Sequence, residues 1–365
     1  MAQIRVFLCT YRRPHLLRRA LASLLAQTFT DWVCELHNDA PGDDAPRAVL
    51  IEVAGNDPRI SYHAHDRNWG AVATFNHAYA GAPEPFFSIL EDDNWWQPTL
   101  LARLHAALLT HPEAELAWAN LRFWREEADG HWTDLHRTLW PEVAIPVVPI
   151  ATPQLIQFDG PLHSNGAMLA RSSSTQSGRL ITPLGIPFSA MENMRERSFR
   201  PPLLLIPEPL ANFALTIATS RHADLSGWIR TQTLMAAEFI RQIDLSPSDV
   251  ARLWQSRRDA RPRATGLLFL AGLLAAQPRF LVHATFRDCL LFVASQLKRP
   301  RVAYAALHAP RTQPELARAW ADATRRLAAF PTATASDCVP SLQLARTEDL
   351  ILACDLLSHP PDRPS

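Results

Sequence analysis

Short strand-like segments alternate with helix-periodic segments over residues 4–110, and this alternation restricts the fold more than any other feature of the chain. Residues 4–9, 32–37, 60–63 and 86–90 are each long enough for a strand and too short for a helix. Between them, Pro14 opens a segment with Leu16, Leu17, Ala20, Leu21, Leu24 and Leu25 at helical spacing. Segments 45–54, 71–80 and 98–110 repeat the helical pattern, with Gly81 placed to end the third. Strands linked through helices by short connections pair in parallel, and both sheet faces are then covered. The reading is an α/β fold: a Rossmann-like, mixed but mainly parallel sheet with helices on both faces. Ligands of such sheets sit beyond the carboxyl ends of the strands.

Beyond residue 125 the pattern loosens. Pro141, Pro146, Pro149, Pro153, Pro161 and Pro183 interrupt it, and long substrate-facing loops are expected over 125–185. From 224 the chain is rich in Ala, Leu and Arg, with helices expected over 228–243, 247–258, 265–276, 280–297 and 314–330. Two units follow: 1–223 around the sheet, and a helical region over 224–365.

The strongest chemical signal is Leu90-Glu91-Asp92-Asp93-Asn94, an acidic group directly after the fourth strand-like segment. Crowded carboxylates repel one another, and a hard divalent ion with oxygen ligands relieves that repulsion. A solvated acidic turn leading into the helix near Pro98 would use the same residues.

The order of motifs adds to this. Residues 4–9 run into Thr10-Tyr11-Arg12-Arg13-Pro14, Asn68-Trp69-Gly70 and Asn76 follow, and then comes Glu91-Asp92-Asp93-Asn94-Trp95-Trp96. The succession resembles glycosyltransferase family 2, the inverting enzymes of GT-A fold, over roughly residues 4–222. The resemblance implies that Asp92 serves the ribose of a nucleotide-sugar donor and that Asp93, with Glu91, holds Mn2+ or Mg2+. It further implies that Thr10, Tyr11 and Arg12 cradle the base, with Asp39 reading it, and that Asp66, Asn68 and Gly70 flank the diphosphate and sugar. Asn165 in His163-Ser164-Asn165-Gly166 would shape the sugar pocket, and His222 would approach the metal. Two positions depart from the family pattern: Asn38 and Asn193 stand where acids are expected. Glu192 is then the nearest carboxylate to act as the base, either there or as a mere cap of its helix. His65 beside Asp66 is not read as a dyad, since adjacent residues on a turn rarely face each other.

The implied activity is non-processive, metal-assisted transfer of a sugar, with UDP preferred, to a hydroxyl acceptor such as a glycan or a lipid-linked sugar in polysaccharide biosynthesis. A catalytically inactive GT-A-like protein that binds a glycan or a partner is the alternative. A nucleotidylyltransferase would need a Gly-rich phosphate loop after the first strand, which is missing. No G-x-G-x-x-G, Walker loop, G-x-S-x-G or H-E-x-x-H occurs. Lys+Arg and Asp+Glu are both 36, a balance that argues against nucleic acid as partner. Five scattered cysteines form no CxxC pair. Without a membrane-length apolar run, a cytoplasmic protein is expected. Arg257, Arg258, Arg261 and Arg263 before Leu267-Leu268-Phe269-Leu270 would suit peripheral contact with the inner membrane face, or a buried helix with a basic end. The helices are assigned to acceptor docking or homo-oligomer assembly.

Overall fold

A computed structural model describes residues 2–150, 165–172, 182, 184–186, 188–197, 199–217, 225–260, 265–298 and 300–330. The first half follows the expected alternation closely. β1 (Ile4–Thr10), α1 (Pro14–Leu25), β2 (Trp32–Asn38), α2 (Ala45–Ala54), β3 (Ile60–Ala64), α3 (Ala71–Tyr79) and β4 (Phe86–Glu91) succeed one another. Pro14 stands at the start of α1, where its missing N–H costs nothing, and Leu16, Leu17, Ala20, Leu21 and Leu24 are buried against the sheet. Gly81 follows α3 at φ 105°, a left-handed conformation that suits glycine after a helix end.

After β5 (Trp95–Trp96) and α4 (Leu100–Thr110) the chain returns to strands: β6 (Leu116–Glu126), β7 (Trp132–Thr138), β8 (Val148–Ile150), β9 (Met168–Arg171) and, after α5 (Phe188–Glu196), β10 (Leu203–Leu215). The sheet order is β3-β2-β1-β4-β9-β6-β10-β5, with β7 on β6 and β8 on β10. β3, β2, β1 and β4 are parallel, whereas β9 runs antiparallel to both β4 and β6. This corrects the expectation of loose loops across 125–185: β7, β8 and β9 occupy part of that stretch. β6 and β10 are buried along most of their length and therefore lack the polar alternation that advertises a strand. Pro207 and Pro209 disguise β10 further, and its register against β6 shifts around them.

From Leu225 every described element is helical: α6 (Leu225–Gln242), α7 (Pro247–Ala260), α8 (Thr265–Ala275), α9 (Pro278–Leu281), α10 (Phe286–Lys298), α11 (Pro300–Thr312) and α12 (Pro314–Ala329). The helix expected over 280–297 is two helices, and α11 was not foreseen. Ile186 and Met194, beside and on α5, share a core with Leu234, Trp320 and Ala323 of this region. Arg197 donates to Thr324 Oγ1 at 2.8 Å in the same buried zone. Leu268 and Leu270 of α8 are buried, Arg257 is buried, and Arg258 pairs with Asp288, so the chain's own core takes up the face suggested for a membrane. Arg261 and Arg263 lie outside the described residues. Among the described residues no helix is long and apolar enough to cross a membrane.

The break before α10 is a reciprocal cap. Asp288 Oδ2 accepts from the Thr285 N–H and hydroxyl, both at 2.8 Å, and the Asp288 N–H donates back to Thr285 Oγ1 at 3.2 Å. Burial alone would raise the Asp288 carboxyl, but the Thr285 donors and Arg258 outweigh it and hold the group below the usual carboxylate range. A lowered value means stability that is present above the unfolded-state pKa and lost as pH falls through the folded one. Asp288→Ala should therefore cost about 1–2 kcal/mol near neutral pH. The gap to wild type should close in acid, which denaturant titrations at several pH values would measure.

Candidate active site

The carboxyl ends of β1, β2 and β4 lie side by side and bring together residues far apart in sequence. Glu91 ends β4 opposite Cys9, and Asn38 ends β2 opposite Thr10. Asp92, the next residue after β4, is completely buried. Its Oδ2 accepts from Thr10 Oγ1 at 2.8 Å and from the Tyr11 N–H at 3.4 Å. Arg12 adopts φ 57°, a left-handed conformation uncommon outside glycine, which reverses the chain just past these contacts. The Tyr11 ring is 43% exposed, with the Arg12 guanidinium 5.1 Å from its centre.

Arg13 is the cation that the sequence reading left out. Its Nη1 donates to Asp93 Oδ2 at 2.8 Å, and its Nη2 lies 2.5 Å from Asp92 Oδ1. The second contact is an ion pair without hydrogen-bond alignment, so Oδ1 remains a buried oxygen with no donor. Burial pushes the Asp92 carboxyl well above the ordinary range, against the opposing charge of Arg13. Arg19 supports the same turn: its Nη2 donates to the Asp93 carbonyl at 2.9 Å. The Arg19 guanidinium lies 3.6 Å from the ring centre of Trp95 and 4.0 Å from that of Trp132.

Asp39 has other work than an open base contact. Its Oδ1 accepts from the Trp69 N–H at 2.6 Å and meets His65 Nδ1 at 2.9 Å. Its Oδ2 accepts from the Gly70 N–H at 2.9 Å and from Asn68 Nδ2 at 3.2 Å. One carboxylate thereby fixes the loop of Asn68 and Gly70 against β2, while Asp66 on the same loop is exposed. Gly70 sits at φ 78° before α3, a conformation in which a side chain would be strained. Asn38 has a local reason for not being an acid. Its amide donates to the Asp43 carbonyl at 2.7 Å and to the Tyr62 hydroxyl at 3.0 Å, which a carboxylate could not do.

Glu91 Oε2 accepts from Asn94 Nδ2 at 2.7 Å, and Asn94 Oδ1 in turn accepts from the Ala214 N–H. Gly166 packs here: a Cβ on it would lie 3.0 Å from Asn94 Nδ2 and 3.3 Å from Glu91 Oε2. Asn165 opens the short turn before β9, and its side chain lies outside what is described. Glu192 is half-buried in the second turn of α5, so it is not the cap of that helix. Asn193 beside it is buried. His163 and His222 lie outside the described residues.

For the Mn2+ or Mg2+ implied by the motifs, Asp92, Asp93 and Glu91 offer the right kind of donor, but their carboxylate oxygens do not converge on one point in this structure. All are oxygen donors; Asp92 Oδ1 has no aligned hydrogen-bond donor, but Arg13 Nη2 lies 2.5 Å from it and already balances its charge. Asp93 and Glu91 are the residues that would hold the ion, with Arg13 giving up part of its place between the acids.

Residues 5–149 match the family model described as Glycosyl transferase family 2. WcaA of Escherichia coli (strain K12), named for glycosyl transfer in colanic acid biosynthesis, is 32% identical over 111 residues, 30% of this chain. That match spans only 39% of WcaA. The mannosyltransferase PcManGT from Pyrobaculum calidifontis, solved with GDP-Man and Mn2+, is 14% identical with a TM-score of 0.46, covering 89% of this chain and 85% of that one. S. aureus TarS 1–349, solved in complex with UDP, aligns with a TM-score of 0.51 at 13% identity, covering 85% of this chain and 91% of that one. The fold is GT-A-like, and over residues 5–149 the chain carries the pattern of glycosyl transferase family 2.

Proposed function

We propose that the chain is a non-processive, inverting glycosyltransferase that moves a sugar from a nucleotide-diphosphate donor, UDP-linked by preference, to a hydroxyl acceptor. The observation that supports this best is the wholly buried Asp92 held by Thr10 at the carboxyl ends of parallel neighbours β1 and β4, with Asp93 next to it. Burying a carboxylate this deeply is costly unless it has a partner to meet. Thr10, Tyr11 and Arg12 are assigned to the nucleotide, and the loop fixed by Asp39 to the diphosphate and sugar. A bound Mn2+ or Mg2+ would stabilise, as a Lewis acid, the charge that develops on the departing diphosphate. Glu192 accepts the acceptor's proton as its oxygen attacks opposite the leaving group. The helices from Leu225 onward dock the acceptor or a second copy.

The Arg13 contact with both Asp92 and Asp93 favours a second reading, an inactive GT-A-like protein that binds a glycan or a partner, because a guanidinium already neutralises the pair. Incubation with UDP-, GDP- and dTDP-sugars in the presence of Mn2+ separates the two. Release of nucleoside diphosphate, strongest with a UDP-sugar, is expected. Binding without turnover across the whole panel would support the second reading, and release of pyrophosphate would refute both.

A further inference from the structure

A second cluster lies on the sheet face beneath α3, formed by residues that the donor site does not use. Glu35 and His37 point to one face of β2, and His77 comes from α3 above them. One carboxylate oxygen of Glu35 and one ring nitrogen from each histidine all lie within 4.8 Å of one another. Glu35 Oε2 is 3.1 Å from His37 Nε2 and 3.4 Å from His77 Nε2. A tetrahedral ion with ligands at about 2.1 Å has ligand-to-ligand edges of about 3.4 Å. Two edges of such a site are thus already present. Arg5 engages the other oxygen of Glu35 and is itself held by Glu84 through 2.6 and 2.8 Å bonds, leaving Oε2 to the histidines. The His77 side chain is 44% exposed, which provides a way in for an ion.

A count of protons is met by such an ion. His37 Nδ1 meets His65 Nε2 at 3.1 Å, and His65 Nδ1 meets Asp39 Oδ1 at 2.9 Å. The row Glu35–His37–His65–Asp39 therefore has three close contacts, each needing one proton. Ionised carboxylates bring none and two neutral imidazoles bring two, so the row is completed by one further cation, either a third proton or a metal ion. A metal on His37 Nε2 removes the shortfall: His37 Nδ1–H then donates to His65, and His65 Nδ1–H donates to Asp39. Metal-bound histidines usually donate their other N–H to a carboxylate, carbonyl or water; here His65 takes that place and passes the contact on to Asp39.

We propose that Glu35, His37 and His77 bind one divalent transition-metal ion of the Zn2+ kind, and that His37 and His65 connect it to Asp39 and the loop of Asn68 and Gly70. Two imidazoles and one carboxylate suit Zn2+ and its neighbours rather than Mg2+, unlike the all-oxygen set at Asp92 and Asp93. The ion has a positioning role, remote from the reacting atoms.

Metal-stripped full-length protein is titrated with Zn2+ against a chromophoric chelator, and with Co2+ for its visible absorption. One equivalent should bind and withstand an excess of Mg2+. His77→Ala, at a partly exposed position, should weaken binding at least about tenfold, whereas Asp93→Ala should stay within about twofold of wild type. His65→Gln should cost about tenfold through the lost outer-shell contact. No Zn2+ uptake by wild type, or uptake unchanged in His77→Ala, overturns the site, since binding would then be absent or lie at cysteines or carboxylates elsewhere. Unchanged affinity in His65→Gln overturns the connection to Asp39.

Discussion

Replacing Glu192 with glutamine is expected to lower the transfer rate by about 10²–10⁴-fold while donor affinity and thermal unfolding stay at wild-type values. The amide keeps the size of the side chain while removing its charge and its ability to accept a proton. The fold should tolerate the change, because the buried anchor of α5 is a different residue. The Arg195 guanidinium donates to Asn76 Oδ1 at 2.8 Å and to the Val72 carbonyl at 3.1 Å, fastening α5 to α3. Glu192 is near enough to Arg195 for its charge to be felt there. Single-turnover rates with saturating donor isolate the step. A variant within about twofold of wild type would move the base to another residue, with His163 and His222 next to be tested.

Asp93→Ala should abolish the part of donor binding that depends on Mn2+, so that adding Mn2+ no longer tightens UDP, and should lower turnover further because the metal's main contribution is to charge in the transition state. Glu91→Ala should do less, since Asn94 already holds the Glu91 carboxylate at 2.7 Å. Calorimetry with UDP and Mn2+, together and apart, measures both. The loss at Asp93 should appear only in the presence of metal, because Arg13 keeps its contact with Asp92 when Asp93 is truncated. Equal affinity in Asp93→Ala and wild type would remove Asp93 from the metal site.

The order from β1 to β4 could be read from sequence to within a residue or two because helix-periodic segments separate short segments of strand length, of which the runs at β1 and β4 are apolar and buried. β6 and β10 could not, since burial on both faces removes alternation, and Pro207 within β10 argues against a strand. At the site, Asp92 and Asp93 were legible as a local pattern following a strand. The engagement of Asp39 was not, because its donors at Trp69 and Gly70 reach it from 30 residues away across the β2–β3 edge. The same distance explains His65. A dyad with its neighbour in sequence, Asp66, was rightly set aside, and the acid His65 does meet is Asp39, supplied by the end of the adjacent strand. Arg13 was quoted within a motif but given no role, since nothing in a linear sequence shows that one guanidinium spans two acids about 80 positions later.

The place of β9 in the sheet has a consequence for the order in which the chain can be made. Met168–Arg171 pairs with Phe86–Ser88 on one side and with Leu116–Trp118 on the other, so β4 and β6 meet only through it. While the chain is being synthesised, the strand that ends in Glu91 keeps an open edge until residues about 80 positions further on have emerged. Unpaired edges of this kind invite pairing with other chains, and late long-range closure slows folding. Residues 5–149, which hold the family pattern, therefore cannot close their own sheet: the acids belong to the early part of the chain, and the strand that covers the open edge of β4 arrives after it.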